Sequence, residues 1–95
     1  MTITSSSNSV TIKGNIKSIG DFQDIKNHID GMVGQHMSIV LNIVDSISIT
    51  SSVIGYFNKL VQKDGISIQM LIGDEQLMSL VDDLNLKTVF KARKV

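Results

Sequence analysis

Three consecutive hydroxyl residues, Thr50, Ser51 and Ser52, are the side chains of this sequence with the clearest place for chemistry. They end a polar segment, residues 45–50, and lead into apolar residues at helical spacing, which are Val53, Ile54, Phe57, Leu60 and Val61. The first turn of a helix gathers unpaired backbone N–H groups and the positive end of the helix dipole. We therefore predict that one of the three hydroxyls caps this helix, and any further role needs support from the surrounding sequence.

No other group of residues suggests catalysis or metal binding. The two imidazoles, His28 and His36, have no partner at a ligand spacing such as His-Glu-x-x-His. A nucleophilic hydrolase would need one of these two beside a serine and oriented by a third group, and we predict a structural or surface role for both. Asp82 and Asp83 are neighbours, and adjacent helical residues point about 100° apart. Neither a Walker loop nor a Gly-x-Gly-x-x-Gly motif, the two glycine-rich loops that bind nucleotide phosphates, is present. We expect no enzyme activity, no metal and no cofactor, and we expect any nucleotide to be bound by a partner.

The composition indicates one small domain, spanning residues 1–95, in a reducing compartment. The chain has nine basic and nine acidic residues, so no overall field attracts a nucleic acid, and its basic end, from Lys87 to Lys94, is predicted to be a solvated strand or tail. Cysteine is absent, the first nine residues do not resemble a signal peptide, and no apolar run reaches the ~20 residues of a membrane span. We expect a cytoplasmic protein that does not insert into membranes.

The first half of the chain is predicted to form a hairpin, a helix and a central strand. Residues 1–4 and 10–13 alternate as two paired strands do. After Gly20, Asp21 is predicted to cap a helix whose apolar stripe is Phe22, Ile25, Ile29, Met32 and Val33. Residues 37–44 are almost continuously apolar, which predicts a central strand covered on both faces.

The second half repeats the pattern of strand and helix. The helix that follows the hydroxyls is predicted to end near Asp64 and Gly65, and residues 66–72 form the next strand. Gly73 and Asp74 open a third helix with Leu77, Met78, Val81 and Leu84 on one face, before a weak closing element over residues 86–95. The order β-β-α-β-α-β-α predicts an α/β fold with a small mixed, largely parallel sheet packed against three to four helices.

The run IVLNIVDSISITSSVIGYFNKLV, residues 39–61, resembles STAS domains, the family of bacterial anti-sigma factor antagonists and of the cytoplasmic tails of sulfate transporters. In that family an apolar strand carrying Asp or Asn precedes an apolar residue and Asp-Ser-Ser-Gly at a helix start. Here Asn42 lies in the strand, Ile49 precedes the hydroxyls, and Gly55 matches a small residue of the family. The likeness extends over residues 39–90. Thr50 replaces the family's Asp, and Val53 replaces its Gly.

The resemblance implies a regulatory protein-binding module of the antagonist type, controlled by phosphorylation. It makes Ser51 the phosphoacceptor, with Thr50 and Ser52 as alternates. It also implies that the partner is an ATP-binding serine kinase that is at the same time an anti-sigma factor. It places the partner-binding surface at Asn15, Thr50, Ser51, Ser52, Val53 and Tyr56. The domain is expected to be a monomer or a weak homodimer.

Three alternatives stay open from the sequence. One is a STAS-only accessory subunit of an ABC-type lipid transporter, and a second is a STAS interaction protein that is not phosphorylated. The third is a receiver domain that uses Asp45 as its phosphoacceptor. A receiver needs an acidic pair after the first strand to hold Mg²⁺, and residues 10–17 contain no carboxylate.

Overall fold

Five strands and three helices follow one another in the computed structural model, which describes residues 1–95. In chain order they are β1 (Thr2–Ser6), β2 (Ser9–Lys13), α1 (Ile19–Val33), β3 (Ser38–Ile43), α2 (Ser51–Gln62), β4 (Ser67–Ile72), α3 (Glu75–Asp83) and β5 (Arg93–Lys94). The strands form one sheet in the order β1-β2-β3-β4-β5, in which only the β1–β2 pair is antiparallel. The predicted α/β class with a small, largely parallel sheet is confirmed, with three helices.

Strand β3 is the central strand, as predicted, but only one of its faces is covered. Ile39, Leu41 and Ile43 are at most 1% exposed, whereas Val40 and Asn42 between them are half-buried. Strands β2 and β4 alternate in the same way, and their buried residues join the same core cluster. The three helices therefore pack on one face and leave the other, here called the open face, to polar and half-buried side chains. A run of apolar residues does not show whether a strand is covered on one face or on both, which is why the prediction that β3 is covered on both faces was wrong.

Helix α1 begins three residues earlier than the sequence pattern predicted, because its N-cap is Ser18 and not Asp21. Ser18 is the N-cap, and its hydroxyl accepts a hydrogen bond from the Asp21 N–H at 3.0 Å. Asp21 is the third helical residue, and its carboxylate accepts from the N–H groups of Lys17 and Ser18. The two side chains form a capping box, in which each satisfies backbone donors of the first turn. The hydrogen bond from Lys17 leads the effects that hold the pKa of Asp21 below its ordinary value.

The end of the chain returns to the sheet. Asp74 caps α3 by accepting from the N–H groups of Gln76 and Leu77, and Leu77 and Val81 are the buried residues of this helix. Leu84, predicted on the same face, is 46% exposed because it lies at the C-cap, where the chain leaves the helix. The predicted weak final element is a turn followed by β5, which pairs in parallel with β4.

Gly73 lies where two connections meet at the carboxyl end of the sheet. Its N–H donates to the Ile43 carbonyl at 2.9 Å, and a Cβ at this position would fall on the carbonyl oxygen of Val44. Only glycine allows so close an approach of two backbones. The loop from β4 to α3 is thereby packed directly against the loop from β3 to α2.

Charge is divided unevenly between the layers. The strands contain no carboxylate, and their charged residues are Lys13, Arg93 and Lys94. The carboxylates lie on the helices, their caps and the connecting loops, and four of the chain's nine, Asp74, Glu75, Asp82 and Asp83, belong to α3 and its cap. At this edge of the sheet the acidic α3 therefore lies beside the basic β5.

Candidate functional site

The Thr50-Ser51-Ser52 triplet lies at the start of α2, where the sequence predicted a cap. Thr50 is the N-cap, has an extended backbone, and accepts a hydrogen bond from the Val53 N–H at 3.3 Å. Ser51 and Ser52 occupy the first turn, are exposed, and make no side-chain hydrogen bond within the chain. One hydroxyl is thus committed to the fold, and two are free.

The loop that delivers this triplet is joined to the loop between β2 and α1 by side-chain hydrogen bonds. Asp45 Oδ1 accepts from the Gly14 N–H at 2.7 Å, and Asn15 Oδ1 accepts from the Ile47 N–H at 3.0 Å. Ser46 Oγ accepts from the Ile16 N–H at 3.1 Å. We call this set of bonds the loop clasp. It fixes the direction in which the chain enters α2.

Ser46 is the central residue of the loop clasp. Its side chain is 0% exposed, and it is the single polar residue among the buried ones. Besides accepting from Ile16, its hydroxyl donates to the Ser48 carbonyl at 2.7 Å, so both capacities of the hydroxyl are used. The sequence gives no signal for this role, because a serine in a polar linker has no periodic pattern and its donor is 30 residues away.

The predicted partner-binding residues divide into exposed and buried ones. Asn15, Ser51 and Ser52 are exposed, although the Asn15 carbonyl is already bound in the loop clasp. Val53 is 0% exposed and Tyr56 is 6% exposed, because both lie on the core side of α2. In this fold these two residues pack in the core below the site and offer no surface to a partner protein. The prediction that Val53 and Tyr56 belong to the partner-binding surface is therefore corrected.

Tyr56 joins α2 to α1 one turn below the triplet. Its hydroxyl donates to Asp30 Oδ1 at 2.5 Å, and the other carboxylate oxygen of Asp30 accepts from Lys26 Nζ at 2.8 Å. Burial, followed by the hydrogen bond to Asp30, raises the pKa of Tyr56. Partial burial alone would raise the pKa of Asp30, but the hydrogen bonds from Lys26 and Tyr56 outweigh it and the pKa is lowered. The first helix is thus held beside the site by a charge-assisted contact.

Two aliphatic side chains near the site are exposed to solvent. Ile19 is 82% exposed and Ile47 is 48% exposed. A cavity of about 110 Å³ lies between the first turns of α1 and α2, and its lining residues are Lys17, Ser18, Ile19, Phe22, Thr50 and Ser52. Sequence reasoning did not identify Ile19 or Ile47, because an apolar residue near a helix start is as readily assigned to the core.

The other titratable residues do not assemble into a site. His28 lies beside Ser5, with 3.4 Å between Nδ1 and Oγ, and no three His, Asp or Glu residues are grouped so that they could hold a metal ion. None of the helices is long and apolar enough to cross a membrane.

The fold and the site geometry define a small α/β protein with a five-stranded sheet, an architecture that is also found among solved structures. The NMR structure of the protein TM1081 superposes with a TM-score of 0.67 at 15% sequence identity, over 98% of this chain and 79% of that one. At this identity the likeness establishes the fold alone. No family model matches the chain, and no curated protein matches it.

Proposed function

We propose that this protein is a cytoplasmic regulatory module of the STAS type, which binds a protein partner through the start of α2. The proposed partner is an ATP-binding serine kinase that also acts as an anti-sigma factor, so that binding controls transcription. The proposal rests on the resemblance of residues 39–90 to STAS domains, together with one observation. Ser51 presents a free, exposed hydroxyl on the first turn of α2, while its neighbour Thr50 serves as the cap.

Ser51 is the proposed acceptor among the three hydroxyls. Thr50 is half-buried and its oxygen is bound to the Val53 N–H, and Ser52 faces the cavity beside α1. Ser51 lies on the side of α2 opposite the buried Val53 and Leu60. The kinase would join Ser51 Oγ to the γ-phosphorus of ATP, the bond from that phosphorus to ADP would break, and the hydroxyl proton would pass to a base of the kinase.

A phosphate at Ser51 would act on binding and leave the fold intact. It adds about −1.5 to −2 charges at neutral pH, and the positive end of a helix dipole tolerates such a group in water. The exposed Ile19 and Ile47 supply apolar area that a partner covers, and covering them would also strip water from the neighbouring phosphate. The cost of that desolvation releases the partner.

Phosphate incorporation tests the acceptor directly. The purified protein is incubated with ATP and a serine kinase of the anti-sigma factor type, and the products are measured by intact mass and peptide mapping. We expect one phosphoryl group in the parent, in Ser52→Ala and in the control Ser48→Ala, which removes an exposed serine of the preceding loop. We expect none in Ser51→Ala. Undiminished incorporation into Ser51→Ala would remove Ser51 from the proposal.

Binding to the same kinase tests the release mechanism. By calorimetry, Ser51→Asp is expected to weaken the Kd about tenfold or more, a loss of ~1.4 kcal/mol. Asn58→Asp adds the same charge to the exposed side of α2 two turns further on, and is expected to bind as the parent does. Equal affinity of Ser51→Asp and the parent contradicts the mechanism. Co-purification with a membrane ATPase in place of a kinase would favour the accessory subunit of a lipid transporter.

A further inference from the structure

The two edges of the sheet are protected to different degrees. Strand β5 is two residues long and consists of Arg93 and Lys94, and short, charged edges resist pairing with other strands. Strand β1 has five residues, none of them charged and none of them proline, and it pairs with β2 one residue to one without a bulge. None of the usual devices that block strand addition is present on β1.

The hydrogen bonds of β2 determine which groups of β1 are free. The carbonyls of Asn8 and Ile12 accept from Val40 and Val44, so the even-numbered residues of this segment direct their backbone groups toward β3. The odd-numbered residues Ser9, Thr11 and Lys13 therefore face β1, and their register partners are Ser6, Thr4 and Thr2. This leaves the N–H and C=O of Ile3 and Ser5 pointing away from the sheet.

We propose that a second copy of this chain pairs with β1 in an antiparallel arrangement about a two-fold axis at Thr4. Ile3 then lies opposite Ser5 of the second copy, and each of the two such pairs closes two backbone hydrogen bonds. The two Thr4 side chains meet on the open face as a close pair, a favourable cross-strand combination. The product is a continuous sheet of ten strands, with no charge at the junction.

The helix layer leaves room for this pairing. Helix α1 lies over β1, where His28 contacts Ser5, and Gly31 follows His28 by nearly one turn. Gly31 is exposed, and a Cβ there would have no neighbour within 4 Å. A glycine within a helix costs roughly 0.5–1 kcal/mol relative to alanine, and nothing in one copy explains it. In the paired form it gives the second α1 helix a flat surface to approach.

Analytical ultracentrifugation and amide exchange of the intact chain test the proposal. We expect a species of twice the 10.4 kDa chain mass, with the amides of Ile3 and Ser5 protected from exchange as concentration rises. Ser5→Pro removes an N–H that faces away from β2, and should weaken dimerisation about tenfold or more while the hairpin is kept. Ser5→Ala retains the N–H and should dimerise as the parent does.

A second pair of variants keeps the test decisive if Ser5→Pro does not fold. Thr4→Lys places two like charges opposite each other at the junction, whereas Thr11→Lys adds the same charge to its register partner one strand away. Dimerisation should be lost in the first and retained in the second. A monomer at concentrations up to ~1 mM, or a dimer unaffected by both Ser5→Pro and Thr4→Lys, would overturn the proposal. Helix α2 lies outside this junction, so the outcome is independent of the role proposed for Ser51.

Discussion

The loop clasp makes Ser46→Ala the most informative single substitution. It removes one oxygen, creates no clash, and leaves the Ile16 N–H without a partner in a buried place. The lost hydrogen bond contributes about 1 kcal/mol, and an unsatisfied buried donor costs about 1–3 kcal/mol. We therefore expect the free energy of unfolding to fall by about 2–4 kcal/mol, although Ser46 belongs to no helix or strand.

Urea denaturation followed by circular dichroism measures this loss, and thermal unfolding provides a second measurement. For a chain of this size the loss corresponds to a decrease in Tm of about 10–30 °C. Ser48→Ala is the matched control, because the Ser48 side chain is exposed and only its backbone carbonyl takes part in the loop clasp. This control should unfold within about 0.5 kcal/mol of the parent.

A Ser46→Ala protein as stable as Ser48→Ala would contradict the role given to the Ser46 hydroxyl. The loop clasp would then contribute nothing to the fold, and the direction in which the chain enters α2 would have another cause. A loss of the expected size should be accompanied by faster amide exchange at Ile16 and Ile47, because the two loops no longer hold each other. Amide exchange at the ends of α3 should be unchanged.

Three further substitutions test other parts of the structure. Gly73→Ala puts a Cβ on the Val44 carbonyl and should destabilise by about 3 kcal/mol or more in urea denaturation; a stable variant would show that the two backbones are further apart. Tyr56→Phe should lower the free energy of unfolding by about 1 kcal/mol at pH 7, because it removes the hydrogen bond to Asp30. Since the pKa of Asp30 is lowered in the folded protein, this difference in stability from the parent should shrink as the pH falls below ~4. A difference that stays constant with pH would contradict the contact. Ser7→Gly should stabilise the β1–β2 turn by up to ~1 kcal/mol, because Ser7 has a φ of +55° that glycine adopts without strain; a lower Tm would contradict this.

The order of the elements could be predicted because each has its own periodic pattern. The helical spacing of Phe57 and Leu60 and the continuous apolar run of β3 depend only on neighbouring residues. The start of α1 could not be fixed in this way, because Ser18 and Asp21 are both good cap residues. Only the structure shows that they act together as one capping box.

The position of the candidate site was predicted from the sequence, but the hydrogen bonds that hold its loops together were not. The hydroxyl triplet was identified because a cap is a local feature of sequence. The loop clasp joins residues about 30 positions apart through side chain and backbone, and such bonds leave no trace in hydrophobic spacing. Val53 and Tyr56 were assigned to the surface by resemblance, whereas their positions on α2 direct them into the core.

Because the basic residues of β5 lie beside the acidic residues of α3, a protein without net charge carries a local dipole at this edge of the sheet. The basic pole lies toward Lys91 and Arg93, and the acidic pole includes Asp82 and Asp83 of α3. A charged protein that approaches such a molecule orients it before any contact forms, and added salt screens this interaction at separations beyond about 10 Å at 0.1 M. Encounter rates with charged proteins should therefore depend on ionic strength, even at the isoelectric point near 6.7.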